Sequence, residues 1–138
     1  MAPTVLIADD HPDTAESFAA LFRTNGCEAF VAATGGQALD IAALLQPKVL
    51  VLDVTMPELS GPEVCRRIRT ELWGRDALII TISGRTDELS RRSALDSGSD
   101  HHLVKPVDFD ALWRFLESHP KFSLLSIVQI SSSPVEPV

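Results

Sequence analysis

The sequence predicts a doubly wound α/β fold, in which helices cover both faces of a five-stranded parallel sheet. Five short apolar runs alternate along the chain with segments whose apolar residues recur at helical spacing. Three of these runs are almost continuously apolar, which is typical of strands that are buried on both faces. Strands that alternate with helices pair in parallel through right-handed crossovers, so a doubly wound sheet follows.

The five apolar runs are the predicted strands, and turn-forming or helix-starting residues separate them. In chain order they are residues 5–8, 29–32, 49–52, 78–82 and 102–104. The first, third and fourth are the continuous runs, so we expect them to be the most deeply buried strands of the sheet.

A helix is predicted after each strand. The apolar stripes of three of these helices are Ala15, Phe18, Ala19 and Phe22, then Ala38, Ile41, Ala42 and Leu45, and finally Phe109, Leu112, Trp113 and Leu116. Pro12 suits the first turn of the first helix, residues 60–63 form a capping sequence before the third, and Asp108 can cap the last. The fourth helix, at about 86–97, has a thin stripe of Leu89, Ala94 and Leu95, so we expect it to be the most weakly held.

The composition indicates one soluble globular domain. The chain has 138 residues, of which 45% are apolar and 22% charged, and no apolar run approaches the roughly 20 residues that cross a bilayer. The start of the chain lacks a signal-peptide pattern, so the expected location is the cytoplasm. The net charge of −7 argues against direct binding to nucleic acid. Cys27 and Cys65 lack metal-ligand spacing and are expected to be buried thiols.

Polar or charged residues follow four of the predicted strands directly. Asp9 and Asp10 follow the first strand, Asp53 the third, Ser83 the fourth and Lys105 the fifth. Each residue alone has an ordinary interpretation as a turn former or a helix cap. In open α/β sheets, however, ligands bind at the carboxyl ends of the strands, so we expect these side chains to meet there.

Three carboxylates that meet repel one another unless a cation joins them, and Mg²⁺ is the ion that shares oxygen ligands with a phosphate. Lys105 can pair with a carboxylate or a phosphoryl oxygen, and the Ser83 hydroxyl can donate to another oxygen. A carboxylate such as Asp53 can act as the nucleophile that becomes an aspartyl phosphate. The pattern therefore predicts phosphoryl transfer to Asp53.

The combination of these residues resembles the receiver domain of two-component response regulators over residues 4–118. The motifs that carry the resemblance are Asp9-Asp10, Asp53-Val54-Thr55-Met56-Pro57 with Gly61, Ser83-Gly84 and Lys105-Pro106. The resemblance implies a flavodoxin-like (β/α)5 sheet with strand order 2-1-3-4-5 and a cis peptide bond before Pro106.

The resemblance also implies a role for each matching residue. Asp53 is the expected phosphoacceptor, with Lys105 and Ser83 as its catalytic partners. Mg²⁺, or Mn²⁺ as an alternative, is expected on Asp9, Asp10, Asp53 and the backbone carbonyl of Thr55. The enzymatic activity that we expect is limited to self-phosphotransfer and autodephosphorylation.

Ser83 is also the expected switch hydroxyl, and Thr55 and Arg85 stand where side chains tune the lifetime of the phosphoryl group. The family usually has Tyr or Phe three residues before the lysine, whereas this chain has His102. His102 is either a smaller, polar switch residue or a surface histidine. Of the other histidines, His101 is expected to face solvent, and His11 is expected either to serve the start of the first helix or to lie near the ion.

The expected partners are a sensor histidine kinase or a histidine phosphotransfer protein as donor, and a downstream protein effector. The chain is not expected to bind nucleic acid directly or to bind a membrane. One alternative is a non-phosphorylated pseudo-receiver that acts as a protein-binding module. Another is a phosphohydrolase, which Thr55 disfavours because such enzymes commonly carry an acid at that position.

Residues 119–138 are expected to be a C-terminal tail or linker. Within it, 122–130 is apolar enough to form an extra strand or to cover part of the domain or a second subunit. The final Ser- and Pro-rich residues are typical of a disordered terminus. Both a stand-alone receiver and a piece of a longer protein fit this composition.

Overall fold

The computed structural model describes residues 2–122, and these form a five-stranded sheet between helices. Its strands are β1 (Thr4–Ala8), β2 (Glu28–Ala32), β3 (Val49–Asp53), β4 (Leu78–Ser83) and β5 (His101–Val104). Its helices are α1 (Pro12–Thr24), α2 (Gly35–Leu45), α3 (Gly61–Arg69), α4 (Glu88–Asp96) and α5 (Phe109–Ser118), with a short 3₁₀ turn at Trp73–Arg75. All neighbouring strands pair in parallel in the order β2-β1-β3-β4-β5, which confirms the predicted fold class.

The core consists of one apolar cluster on each face of the sheet. Alternate strand residues divide between the faces, because successive side chains of a strand point in opposite directions. Val5 and Ile7 of β1 pack with α1 and α5, whereas Leu6 packs with α2 and α3. In the first cluster the rings of Phe22 and Phe109 meet edge to face, 5.0 Å apart. Both faces of the sheet are therefore covered by packed helices, and the ends of the strands are where a functional site can form.

Local signals set the helix starts as predicted. Pro12 is the first residue of α1. The hydroxyl of Ser60 accepts from the backbone N–H of Glu63 at 3.3 Å, and the Asp108 carboxylate accepts from the N–H of Ala111 at 3.2 Å. Each bond satisfies one of the N–H groups that the first turn of a helix leaves without an intrahelical partner.

The fourth helix differs from its prediction in extent and in packing. α4 begins at Glu88, where Asp87 caps it, rather than near residue 86. The prediction that Leu89 belongs to the apolar stripe was wrong, since this side chain is 79% exposed. Only Ala94 of α4 is fully buried, whereas every other α-helix described buries at least three residues. The helix is thus held by little apolar area, as its thin stripe suggested.

The expectation that His101 faces solvent was also wrong. His101 is half-buried, and its ring stacks on that of Phe115 in α5 with centroids 4.1 Å apart. The cause is strand alternation: His101 points to the same face as Leu103, and α5 covers that face.

Both cysteines are free and buried, as expected. Burial raises the pKa of the Cys27 thiol to about 11 and also raises that of Cys65, so both thiols are protonated at neutral pH. Within residues 2–122, no helix combines the length and the apolar character that a bilayer crossing requires.

The start of the expected tail packs onto the domain. Phe122 is helical and only 2% exposed, and its ring meets that of Trp113 edge to face at 5.5 Å. The remainder of the proposed extra strand at 122–130 lies outside the described residues.

Candidate functional site

Three acidic side chains meet at the carboxyl end of the sheet. β1 and β3 are neighbours, and their register pairs Ala8 with Leu52, so the next residues, Asp9 and Asp53, emerge side by side. Single ligand atoms of Asp9, Asp10, His11 and Asp53 all lie within 4.8 Å of one another. The structure therefore brings together the acids that the sequence placed at separate strand ends.

Lys105 joins this cluster from the end of β5. Its Nζ lies 2.9 Å from Oδ2 of Asp53 and 3.4 Å from Oδ2 of Asp9. The Lys105 N–H donates to the carbonyl of Ser83 at 2.8 Å, which fixes the chain at this point. The Lys105-Pro106 peptide bond is cis, as predicted. One ammonium thus contacts two of the three carboxylates.

The site holds more negative than positive charge, and much of it is buried. Asp9 and Asp53 are 6% and 5% exposed. Burial, with the nearby charge of Asp9, raises the pKa of the Asp53 carboxyl, although Lys105 and the Thr55 N–H oppose that rise. Burial alone would lower the pKa of Lys105, but the bond to Asp53 and the charges of both acids raise it. Lys105 is therefore charged at neutral pH and does not by itself balance the acids.

The donor set fits a hard divalent cation. Carboxylate oxygens are the ligands that Mg²⁺ prefers, and a second positive charge would relieve the repulsion among the three acids. The N–H of Thr55 donates to Oδ1 of Asp53 at 3.1 Å and so fixes the orientation of this carboxylate. Asp10 is more open, with its side chain 34% exposed. An ion would thus have both buried and accessible ligands.

Gly61 explains how α3 can start so close to the site. A Cβ at this position would collide with the backbone carbonyl oxygen of Asp53. The Gly61 N–H donates to the carbonyl of Val54 at 3.0 Å, which folds the β3–α3 loop back over the end of β3. The glycine in the motif therefore permits a close backbone approach next to Asp53.

Ser83 and Arg85 lie beside the cluster, at the end of β4. Ser83 is 2% exposed, and its Oγ accepts from the N–H of Arg85 at 3.0 Å. The guanidinium of Arg85 instead pairs with Asp87 at 2.9 Å, where it is 70% exposed. The Thr55 side chain is exposed as well. Ser83 is thus buried at the end of β4, whereas the two proposed tuning side chains are exposed.

His102 is half-buried and hydrogen-bonded rather than on the surface. Its Nδ1 lies 2.8 Å from the hydroxyl of Thr81, and that hydroxyl lies 3.1 Å from Oγ of Ser99. The other ring nitrogen, Nε2, is buried and has no hydrogen-bond partner among the described residues. Burial lowers the pKa of His102, and so does the charge of Arg91, so the ring is neutral at pH 7.

His11 lies in the cluster, which was one of the two places that the sequence left open for it. It precedes α1, as expected, but its side chain makes no capping hydrogen bond. Its Nδ1 lies 3.1 Å from both Asp9 and Asp10. Its position directly after the acidic pair was the only signal available for this contact.

A cavity of about 420 Å³ adjoins the cluster, between α1 and the loop that joins β5 to α5. Asp9, Asp53 and Lys105 line its polar side, and the apolar side includes Phe18 and Val107. The acids and the lysine are thus reachable from a space that could admit a small group.

The comparisons with known proteins agree with this geometry. The family model described as "Response regulator receiver domain" matches residues 5–117. The response regulator MprA of Mycobacterium bovis is 38% identical over 112 residues, which are 81% of this chain and 48% of the relative. The chain therefore spans about half the length of the curated relatives it matches.

Solved structures show the same fold. The receiver domain of sensor histidine kinase PA1611 from Pseudomonas aeruginosa, described with a magnesium ion coordinated in its active site cleft, has a TM-score of 0.77 and 26% identity. That match covers 85% of this chain and 96% of the other. The chemotaxis protein CheY4 of Vibrio cholerae has a TM-score of 0.79 at 25% identity, over 85% and 98% of the two chains.

Proposed function

This chain belongs to the response regulator receiver domain family, and from that premise we propose that it accepts a phosphoryl group on Asp53. The donor is the phosphohistidine of a sensor histidine kinase or of a histidine phosphotransfer protein. The output is an altered surface that binds a downstream protein effector. We place this signalling in the cytoplasm, and with a net charge of −7 the chain does not bind nucleic acid directly.

The observation that carries the proposal is the convergence of Asp9, Asp10, Asp53 and Lys105 at one edge of the sheet. An oxygen of Asp53 forms the new O–P bond while the P–N bond of the donor breaks, and the histidine ring leaves with the electron pair. Lys105 already contacts Asp53 at 2.9 Å, so it can stabilise the negative charge of the phosphoryl oxygens. The pseudo-receiver alternative has no support in a site that keeps these acids and the lysine together.

The cation that fits this donor set is Mg²⁺, with Mn²⁺ as the alternative. Asp9, Asp10, Asp53 and the backbone carbonyl of Thr55 would hold it. When bound, it supplies positive charge next to the phosphoryl oxygens. The relative PA1611, whose receiver domain is described with magnesium in its active site cleft, supports this choice.

Ser83 and His102 are the proposed switch. Ser83 can turn its hydroxyl from the Arg85 N–H toward a phosphoryl oxygen, which would free the start of the β4–α4 loop. His102 points to the face of β5 that adjoins α4, and α4 is held by a single fully buried residue. A small free-energy difference between two packings of α4 is what such a switch needs.

The switch can be tested by NMR with beryllium trifluoride as the phosphoryl mimic. We expect chemical shifts of α4 residues to move in the wild type and to move much less in Ser83→Ala. His102→Ala should bind the mimic but transmit less of the change to α4. Equal α4 shifts in all three proteins would contradict a role for Ser83 and His102.

Thr55 and Arg85 are proposed to affect how long the phosphoryl group survives, because both side chains are exposed and they stand two residues after Asp53 and Ser83, respectively. Replacing both with Ala should change the rate of dephosphorylation without preventing phosphorylation. An unchanged rate would remove this part of the proposal.

The proposed function is tested by incubation with acetyl phosphate and Mg²⁺, followed by intact-protein mass spectrometry. The wild type should gain one phosphoryl group, and Asp53→Asn should gain none. Asp40→Asn, which changes an exposed acid of α2, is the matched control and should behave as the wild type. Equal labelling of Asp53→Asn would show that the mechanism is wrong.

A further inference from the structure

His11 is held against the cation site by its own backbone. Its N–H donates to Oδ1 of Asp9 at 2.9 Å, and Pro12, the next residue, restricts it to the extended region. Its φ of −100° and ψ of 101° agree with that restriction. The imidazole therefore turns toward the acids instead of capping α1.

Nδ1 of His11 approaches the acids from a different side than Lys105 does. The lysine contacts the Oδ2 atoms of Asp9 and Asp53. His11 contacts the Oδ1 atoms of Asp9 and Asp10, at 3.1 Å each. The two oxygens of Asp9 are thus divided between an ammonium and an imidazole, and the imidazole shares its side with the more exposed acid.

We propose that His11 supplies a nitrogen ligand to the cation site and thereby shifts its preference from Mg²⁺ toward later transition metals such as Ni²⁺. This inference rests on the proposed function, because it takes the acidic cluster to be a cation site. Oxygen ligands alone suit Mg²⁺, whereas imidazole nitrogen is a good ligand for Ni²⁺ and its neighbours in the series. A single histidine in an otherwise carboxylate site therefore changes which ion binds best.

A purely electrostatic role for His11 makes a different prediction. An imidazolium beside Asp9 and Asp10 would compete with every divalent ion, so its removal would strengthen Mg²⁺ and Ni²⁺ binding to the same degree. If His11 is a metal ligand, its effect on binding is selective. Its removal weakens Ni²⁺ binding and leaves Mg²⁺ binding almost unchanged, so the ratio of the two affinities separates the roles.

The test uses the wild type, His11→Gln and His11→Asn, with Mg²⁺ and Ni²⁺ titrated separately by calorimetry. Since even outer partners of metal ligands are typically worth ~10–100-fold in affinity, we expect Ni²⁺ affinity to fall at least about tenfold in both variants. His119→Gln, which removes a histidine at the end of α5, is the matched control for non-specific binding of Ni²⁺.

Pulsed electron paramagnetic resonance on the Mn²⁺-loaded wild type gives a second readout that is independent of phosphorylation. It should detect a ¹⁴N coupling from imidazole, and His11→Gln should lose that coupling while it still binds Mn²⁺. Absence of the coupling in the wild type, or an unchanged ratio of Ni²⁺ to Mg²⁺ affinity, would overturn the inference. If the wild type bound no divalent ion at all, the proposed function would fail as well, so the two failures are distinguishable.

Discussion

Two polar clusters lie at opposite ends of the sheet, and they differ in charge balance. The carboxyl-edge cluster consists of Asp9, Asp10, Asp53 and Lys105, the residues of the proposed site. The amino-edge cluster consists of Arg69, Asp100 and Lys121, next to the starts of β4 and β5. In it, Asp100 lies 2.9 Å from Arg69 and 3.0 Å from Lys121.

Every contact of the amino-edge cluster is complementary. The Asp100 carboxylate also accepts from the backbone N–H of Ile79 at 2.9 Å. Arg69 donates to the carbonyls of Gly74, Ala77 and Gly98 at 2.8, 2.7 and 2.9 Å, and so connects α3 to the segments that precede β4 and β5. One acid thus has two cations and a backbone donor.

The pKa values of Asp53, which is buried, and Asp100, which is partly buried, show what this difference in charge balance means. Burial alone would raise the pKa of Asp100. The hydrogen bond from the Ile79 N–H and the contacts with Lys121 and Arg69 outweigh burial, so the pKa of Asp100 is lowered. At the other end of the sheet, burial and Asp9 prevail over Lys105 and raise the pKa of Asp53. A balanced cluster stabilises the fold, whereas an unbalanced one leaves negative charge that an added cation or a chemical change can relieve.

The largest expected effect is at the amino edge. Arg69→Ala leaves Asp100 with one cation fewer and removes a donor from four carbonyls, and loss of one partner of a buried pair typically costs ~3–5 kcal/mol, of which we expect the lower end because this pair is only partly buried. Urea unfolding should therefore show a lower free energy of unfolding by about that amount. The matched control is Arg66→Ala on the same helix, where an exposed pair with Glu63 is lost and the change should stay within ~0.5 kcal/mol. A small effect at Arg69 would mean that the cluster does not stabilise the fold.

The second-largest expected effect is stabilisation by Mg²⁺, which should depend on the carboxyl-edge cluster alone. A ligand that binds the folded state alone stabilises it by ~2.7 kcal/mol at a hundred times its dissociation constant, so Mg²⁺ should raise the free energy of unfolding of the wild type. Distant sites usually add within ~0.3–0.5 kcal/mol, so Asp100→Asn should keep this increment whereas Asp10→Asn should lose most of it. The same Mg²⁺ increment in both variants would show that the ion binds elsewhere.

The two clusters also differ in how far the sequence could predict them. Asp9, Asp53 and Lys105 each follow a predicted strand, and parallel strands end at a common edge, so their meeting follows from the fold class. Arg69 and Asp100 are 31 residues apart, and Asp100 and Lys121 are 21 apart. No strand-end rule brings these three together, because their contacts depend on how the end of α3 and the segment after α5 pack against the sheet. Lys121 was even assigned to the tail.

Side-chain direction was the other property that the sequence could not give. The strand residues His101 and His102 were recognised, but which face α5 covers decides that His101 stacks on Phe115. In α4, Leu89 is the second residue of the helix and is exposed, whereas Ala94 is buried. Such outcomes depend on packing between elements rather than on local pattern.

The smallest expected effects are opposite pH dependences of stability in metal-free buffer. Asp100 has a lowered pKa when folded, so its charge stabilises the protein above the ordinary Asp value of 3.8, and this contribution is lost as the pH falls through the lowered pKa. Asp53 has a raised pKa when folded, so its ionisation costs stability as the pH rises from 3.8 through the raised pKa. At neutral pH, Asp100→Asn should therefore be less stable than the wild type, and Asp53→Asn more stable.

Urea unfolding at a series of pH values checks the sign of both stability differences from the wild type, because each difference should disappear in its own pH range. The gain of Asp53→Asn should shrink as the pH falls toward 3.8, whereas the loss of Asp100→Asn should persist to that value and shrink only below it. Mg²⁺ at neutral pH should bring the wild type closer to Asp53→Asn, since the ion and the substitution relieve the same repulsion. If Asp53→Asn were instead destabilising at neutral pH, the carboxyl edge would be balanced by Lys105 alone, and the contrast between the two clusters would not hold.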